Sequence, residues 1–226
     1  MKQVTKQQSP ELFEAWKNKA SDDWTPSFEG LQQPEKPELL KNLLAEQAWV
    51  CCYCGRSVGM LDSHIEHFRP QVQRQDLALS YENLHASCIR ETHPGMPLHC
   101  GHAKGHGFDE ERHISPLDAG CEERFLYTLR GEVLAADRSD SAAEYMLDLL
   151  ALDIPFLRNR REEVLSIFSA DFLNSVTDQD LLKLRDAFRR PDAQGHAPSF
   201  GHVVARYAEQ CLSDSTAGND NAPAGT

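Results

Sequence analysis

The chain lacks a long apolar run, an excess of positive charge and any internal repeat, and each lack narrows what it can be. No segment approaches the roughly 20 apolar residues of a membrane-spanning helix. The opening MKQVTKQQSP has no apolar stretch like that of a secretory signal, so the expected compartment is the cytoplasm. A net charge of -12 excludes a protein that finds nucleic acid by a broad basic field of its own, because that grip comes from Lys and Arg neutralising phosphates. Most of the acidic excess lies late in the chain: from Ile114 onward there are 11 Lys+Arg against 19 Asp+Glu. If nucleic acid is the target, a partner is expected to supply much of the hold. No internal repeat is found along the chain.

What is present is a 226-residue chain with 40% hydrophobic residues, enough for one large domain or two small ones. Its 7 cysteines are an odd number, and clustered thiols in a reducing compartment are more often metal ligands than disulfides. The predicted class is α+β, mainly helical, with an embedded zinc-stabilised core. Residues 1–50 read as a helical segment. SPELFEAWKNKA offers Ser9 as N-cap and Pro10 at the first helical position, and PELLKNLLAEQAWV repeats leucines at helical spacing. Residues 51–113 hold five of the seven cysteines and most of the histidines, with little apolar periodicity, which predicts a region that leans on a metal to fold. Residues 114–212 read as a hairpin, RFLYTLRGEVLAA, turning at Arg130-Gly131, followed by helices. These are SAAEYMLDLLAL, one long segment IPFLRNRREEVLSIFSADFLNSV, then DQDLLKLRDAFRR and FGHVVARYAEQCL. The polar tail 213–226 is expected to be disordered.

Cys51-x-x-Cys54 has the spacing of a zinc knuckle, in which one tight turn aims two thiolates at a tetrahedral ion. Cys88 and Cys100 are the best second pair, with Cys121, His85, His93 and His99 as substitutes. Cys52 reads as a bystander. The competing reading is a set of ordinary buried thiols. Glu66-His67 at the end of a short strand, then Asn83-Leu84 before a cysteine, then HCGHAKG, give the residue order of an HNH nuclease interleaved with zinc cysteines. Glu66 has a structural alternative as an ion pair with Arg69 or Arg90. His64 is a minor rival metal ligand, while His106 and His113 read as solvated loop residues.

The stretches MKQVTKQQSPELFEAW, LLAEQAWVCCYCGR, IEHFRPQ, YENLHASC, HCGHAKG and HISPLDAGCEERFLYTLRGEV together resemble the PtuB family of HNH endonucleases, the nuclease component of Septu anti-phage systems. The likeness runs to about Arg161 and thins beyond. It implies a ββα-metal (treble-clef-like) active site and structural Zn2+ at the cysteines. It implies a PtuA-type ATPase partner docked on the acidic helical half, and DNA or RNA as substrate. Because the family also accompanies retrons, a reverse transcriptase and its nucleic acid count among the implied partners. His67 would deprotonate the attacking water, Asn83 would hold the imidazole, and Glu66 with His102 would bind catalytic Mg2+ or Mn2+. Lys104 and Arg69 would contact phosphate. An insertion between Cys88 and Cys100 departs from the family pattern and leaves the third HNH position open among His102, His106 and His99, with His102 preferred. The rival functions are a catalytically inactive zinc adaptor that only binds a partner, and an HNH ribonuclease cutting host tRNA.

Overall fold

Helix α1 (Glu11–Lys17) begins directly after Pro10, whose fixed φ suits a helix start, and carries Glu11 and Glu14 in its first turn, where the helix dipole favours them. Phe13 and Trp16, three residues apart, form its buried face. Helix α2 (Glu35–Glu46) buries Leu39, Leu40, Leu43 and Leu44 in one stripe, as the leucine spacing predicts. The computed structural model describes residues 1–219, and side chains through Leu212.

The leucine stripe of α2 covers a two-stranded antiparallel sheet, β1 (Ser63–His67) with β2 (Leu84–Cys88), paired Ser63 to Cys88 and His67 to Leu84. Buried Gln47, just past α2, ties the backbones of Val50 and Ala86 together. Its amide donates to Val50 O (2.9 Å) and Ala86 O (2.8 Å) and accepts from Ala86 N (2.7 Å), so the knuckle is fixed to β2. The short helix α3 (Gly101–Lys104) follows β2 and the long loop. The chain order here is thus strand, two single 3-10 turns (Gln75–Leu77 and Tyr81–Asn83), strand, helix.

A second hairpin, β3 (Phe125–Tyr127) with β4 (Val133–Ala135), turns through Gly131 at φ 72°, the left-handed conformation that glycine adopts without steric cost. Helix α4 (Ser141–Leu149) is capped by Asp140, whose side chain accepts from Ala142 N and Ala143 N. Helix α5 (Pro155–Leu165) starts at Pro155 and sends the buried Arg161 guanidinium to Gly131 O (2.6 Å) and Leu152 O (2.8 Å), which locks the hairpin turn. The long helix expected from Ile154 to Val176 is broken into α5 and α6 (Ala170–Ser175), because Ser169 caps Phe172 N and restarts the chain. Helix α7 (Asp178–Arg189), capped by Thr177, packs on α8 (Gly201–Asn219). Helix α8 is traced to Asn219, into the stretch 213–226 expected to be disordered, and residues 220–226 of that tail lie outside the described residues.

The architecture is therefore α+β and mainly helical, with two small sheets. One hydrophobic cluster runs from Met1 and Val4 through the cysteine region to Val204 and Ala208. The C-terminal helix seats on the knuckle: Phe200 N donates to Gly55 O (2.7 Å) and Ala197 N to Ala48 O (2.9 Å). Among the described residues, no helix is long and apolar enough to cross a membrane.

Candidate metal centre and catalytic site

Cys51, Cys54, Cys88 and Cys100 bring their sulfurs within 4.8 Å of one another, and all four are buried. The knuckle turn supplies two, the end of β2 one and the residue before α3 the last. Cys54 Sγ lies 3.9 Å from Cys88 Sγ. That is far beyond a disulfide bond but close to the edge of a tetrahedron with sulfur about 2.3 Å from a central ion, about 3.8 Å. The set could hold a metal ion such as zinc. Burial opposes ionisation of the thiols, yet S–H donation from Cys100 and Cys88 draws Cys54 down to about 6, while burial and its thiolate neighbours push Cys100 up. A cation would displace the remaining protons. His99 lies beside the cluster, Nδ1 3.2 Å from Cys100 Sγ and 3.5 Å from Cys88 Sγ, so it is a partner to the sulfurs and not a fifth ligand. Cys52 stays outside the cluster in the core, and Cys121 turns its thiol to Pro116 O.

Strand alternation places His64 and Glu66 on one face of β1. Glu66 Oε2 faces His64 Nε2 at 3.3 Å, Oε1 pairs with Lys104 Nζ at 2.8 Å, and Tyr53 Oη donates to Oε1 at 3.3 Å. Burial works against the carboxylate, but the His64 bond and the Lys104 charge outweigh it and hold Glu66 below its ordinary range. The ion pairs weighed from the sequence, to Arg69 or Arg90, are not the ones formed. Lys104 takes Glu66, and Arg69 pairs with Glu110 at 2.8 Å.

His67, on the next residue, points elsewhere. Its Nε2 donates to Ala78 O (3.0 Å) and its ring meets Phe28 edge-on at 4.4 Å between centroids. The Ala78 bond fixes the tautomer, so Nδ1 carries the free lone pair. Burial lowers the imidazole from its ordinary value, so it stays neutral near pH 7. Asn83 was expected to hold this ring. Instead its amide accepts from Arg69 N (2.7 Å) and donates to Arg69 O (3.0 Å) and Leu77 O (3.2 Å). It closes the loop whose next residue, Ala78, grips His67, so it acts one step removed.

His102 does not reach Glu66 with its ring nitrogen; Nε2 donates to Ile89 O at 2.9 Å, the same carbonyl that takes His64 Nδ1 at 2.7 Å. Ile89 sits at φ 69°, rare for a β-branched residue, which turns that carbonyl toward both rings. The two imidazoles lie 4.7 Å apart between centroids. Gly101 is why α3 can approach so closely: a side chain there would run into the Glu66 carboxylate and the His64 ring. The Glu66–His102 pair thus does not fit a divalent ion as arranged. Both oxygens of Glu66 are engaged, and among the described residues the only set of three or more metal-type donors this close together is the cysteine cluster. Lys104, expected at phosphate, is buried and donates to His67 O (2.7 Å) and Phe68 O (3.3 Å) besides pairing with Glu66. His106 is exposed, as read from the sequence. His113 is not a solvated loop residue: its ring packs against Phe68, Phe108 and Tyr145, and both nitrogens are buried.

The sequence underweighted His64, although its position two residues before Glu66 on a strand carried the signal. It carried none for Tyr53 or the Ala78 carbonyl. In comparison with known proteins, no family model matches the chain and no curated protein matches it.

Proposed function

We propose that the protein is an HNH-type endonuclease that hydrolyses phosphodiester bonds of nucleic acid, acting with an ATPase partner as the effector of an anti-phage defence complex. The observation that carries this reading is His67. It is a buried, neutral imidazole held at Nε2 by Ala78 O, beside Glu66 on a strand–strand–helix unit clamped by four cysteines. A side chain so arranged suits a general base near neutral pH. Nδ1 takes a proton from water, the water oxygen bonds to phosphorus, the P–O3′ bond breaks, and the leaving oxygen is protonated from solvent. Asn83 keeps the Ala78 loop in place for this step. The Lys104–Glu66–His64 network keeps the end of β1 rigid.

The thiolate cluster fits zinc by donor type and spacing, and it braces the site by joining the knuckle, β2 and α3. The magnesium or manganese ion implied by the resemblance has no matching donor set around Glu66 and His102, so no step passes through it. The partner, the defence role and the link to retrons rest on the resemblance alone. The test is incubation of the wild-type chain, alone and with a PtuA-type ATPase, with plasmid DNA and with total RNA, in magnesium, manganese or neither. Strand scission in any arm supports the reading and names the substrate. Intact DNA and RNA in every arm would favour the zinc adaptor.

A further inference from the structure

A cleft of about 350 Å³ lies between α2 and β1, with His64 in its lining. Its polar lining is Gln32, Gln33, Lys36, Ser63, His64 and Arg90, and no carboxylate lines it, in a chain with 35 acidic residues. The cations elsewhere around the site are neutralised: Arg56 by Asp62, Arg69 by Glu110, Arg74 by Asp76 and Lys104 by Glu66. Lys36 and Arg90 form no ion pair with any described carboxylate. Arg90 is exposed and anchored through one nitrogen, Nη1 to Met60 O at 2.7 Å, leaving the rest of its fork free. Lys36 Nζ sits 4.9 Å over the Phe28 ring, and that ring touches His67. Arg90, His64 and Lys36 thus line one cleft, and the Lys36–Phe28–His67 contacts join that cleft to His67.

We propose that this cleft is the track for the nucleic-acid backbone, with Lys36 and Arg90 each holding one phosphate on the approach to His67. The proposal rests on the nuclease reading and gives it a substrate path that the acidic chain otherwise lacks. Two free cations with amide and hydroxyl donors between them match a run of phosphodiesters. The overall charge confines binding to this strip. The helical segment before the cysteines then has a role: α2 is one wall of the track.

The test measures binding of a fluorescent oligonucleotide by anisotropy across a salt series, in the full chain carrying His67→Gln so that no substrate is consumed. Each phosphate contact contributes about 0.7 to the slope of log affinity against log salt for a single strand and about 0.9 for a duplex. The Lys36→Gln/Arg90→Gln double variant is expected to flatten the slope by about 1.4 to 1.8 and to weaken binding about tenfold or more at 0.1 M salt. Arg130→Gln, an exposed cation in the β3–β4 turn, serves as the control and is expected to change neither. An unchanged slope in the double variant, or no binding by the parent at low salt, overturns the proposal. Equal competition by a mononucleotide overturns it too, assigning the cleft to a small phosphate ligand. The nuclease reading fails separately: Lys36- and Arg90-dependent binding with no cleavage by wild type would sink the catalytic role of His67 and leave the track standing.

Discussion

Removing one sulfur from the cysteine cluster should cost the protein a large part of its stability, and the structure allows the size to be worked out. A bound ion cross-links Cys54 to Cys88, 34 residues apart, and Cys88 to Cys100, a 12-residue step. Treated as chain cross-links, these closures remove about 3.8 and about 2.8 kcal/mol of unfolded-state entropy, roughly 6–7 kcal/mol together. That is comparable with the whole stability of many domains, about 5–15 kcal/mol. The expected result is about one metal ion per chain by elemental analysis of the wild type. Cys88→Ala, or treatment with a strong chelator, should then lower Tm by roughly 13–26 °C for a chain of this size. Cys52→Ala, whose thiol lies outside the cluster, should keep its metal. Wild-type protein that holds no metal after purification and shows the same Tm with and without chelator would refute the reasoning and return the four thiols to ordinary core residues.

Three further outcomes follow from other contacts. Gly55 has φ 74°, and a side chain there would strike the buried His202 ring, so Gly55→Ala should lose roughly 2–4 kcal/mol in urea unfolding; a loss under 0.5 would show that α8 does not seat on the knuckle as described. Lys104→Met leaves Glu66 buried without its cation and should cost roughly 3–5 kcal/mol, with Glu66→Gln in the same chain restoring most of it; additive losses in a double-mutant cycle would contradict the pairing. Burial lowers His113 to about 4 from an ordinary 6.5. The folded state therefore resists a proton that the unfolded chain accepts, and its contribution is complete above pH 6.5 and lost as pH falls toward 4, about 3 kcal/mol in all. His113→Phe should remove that part of the acid sensitivity, and identical pH dependence in the two proteins would count against it.

How much of this was legible in the sequence depended on how local the determining physics is. The thiol quartet could be chosen correctly because few chemistries use four clustered cysteines, and the hairpin turn could be placed because Gly131 is the residue free to adopt φ 72°. The split between α5 and α6 was hidden because apolar residues keep helical spacing across Ser166–Ala170, and the break depends on Ser169 capping Phe172. The site was harder, since side-chain direction there is set by tertiary contacts. Gly101 lets α3 press against Glu66, and that approach seats Lys104 on the carboxylate while His102 turns to Ile89. Asn83 reads as a partner of His67 by order in the chain, but the loop from Arg69 to Leu77 folds back and takes its amide.

In the proposed function, one part of this region holds the fold and another does chemistry. The most direct test is a paired measurement on wild type and His67→Ala: metal content per chain, and cleavage of the nucleic acid that the wild type cuts. Equal metal is expected in both, with cleavage reduced at least about 100-fold in the variant, the usual contribution of a positioned general base. Metal lost together with activity, or cleavage retained by His67→Ala, would contradict it.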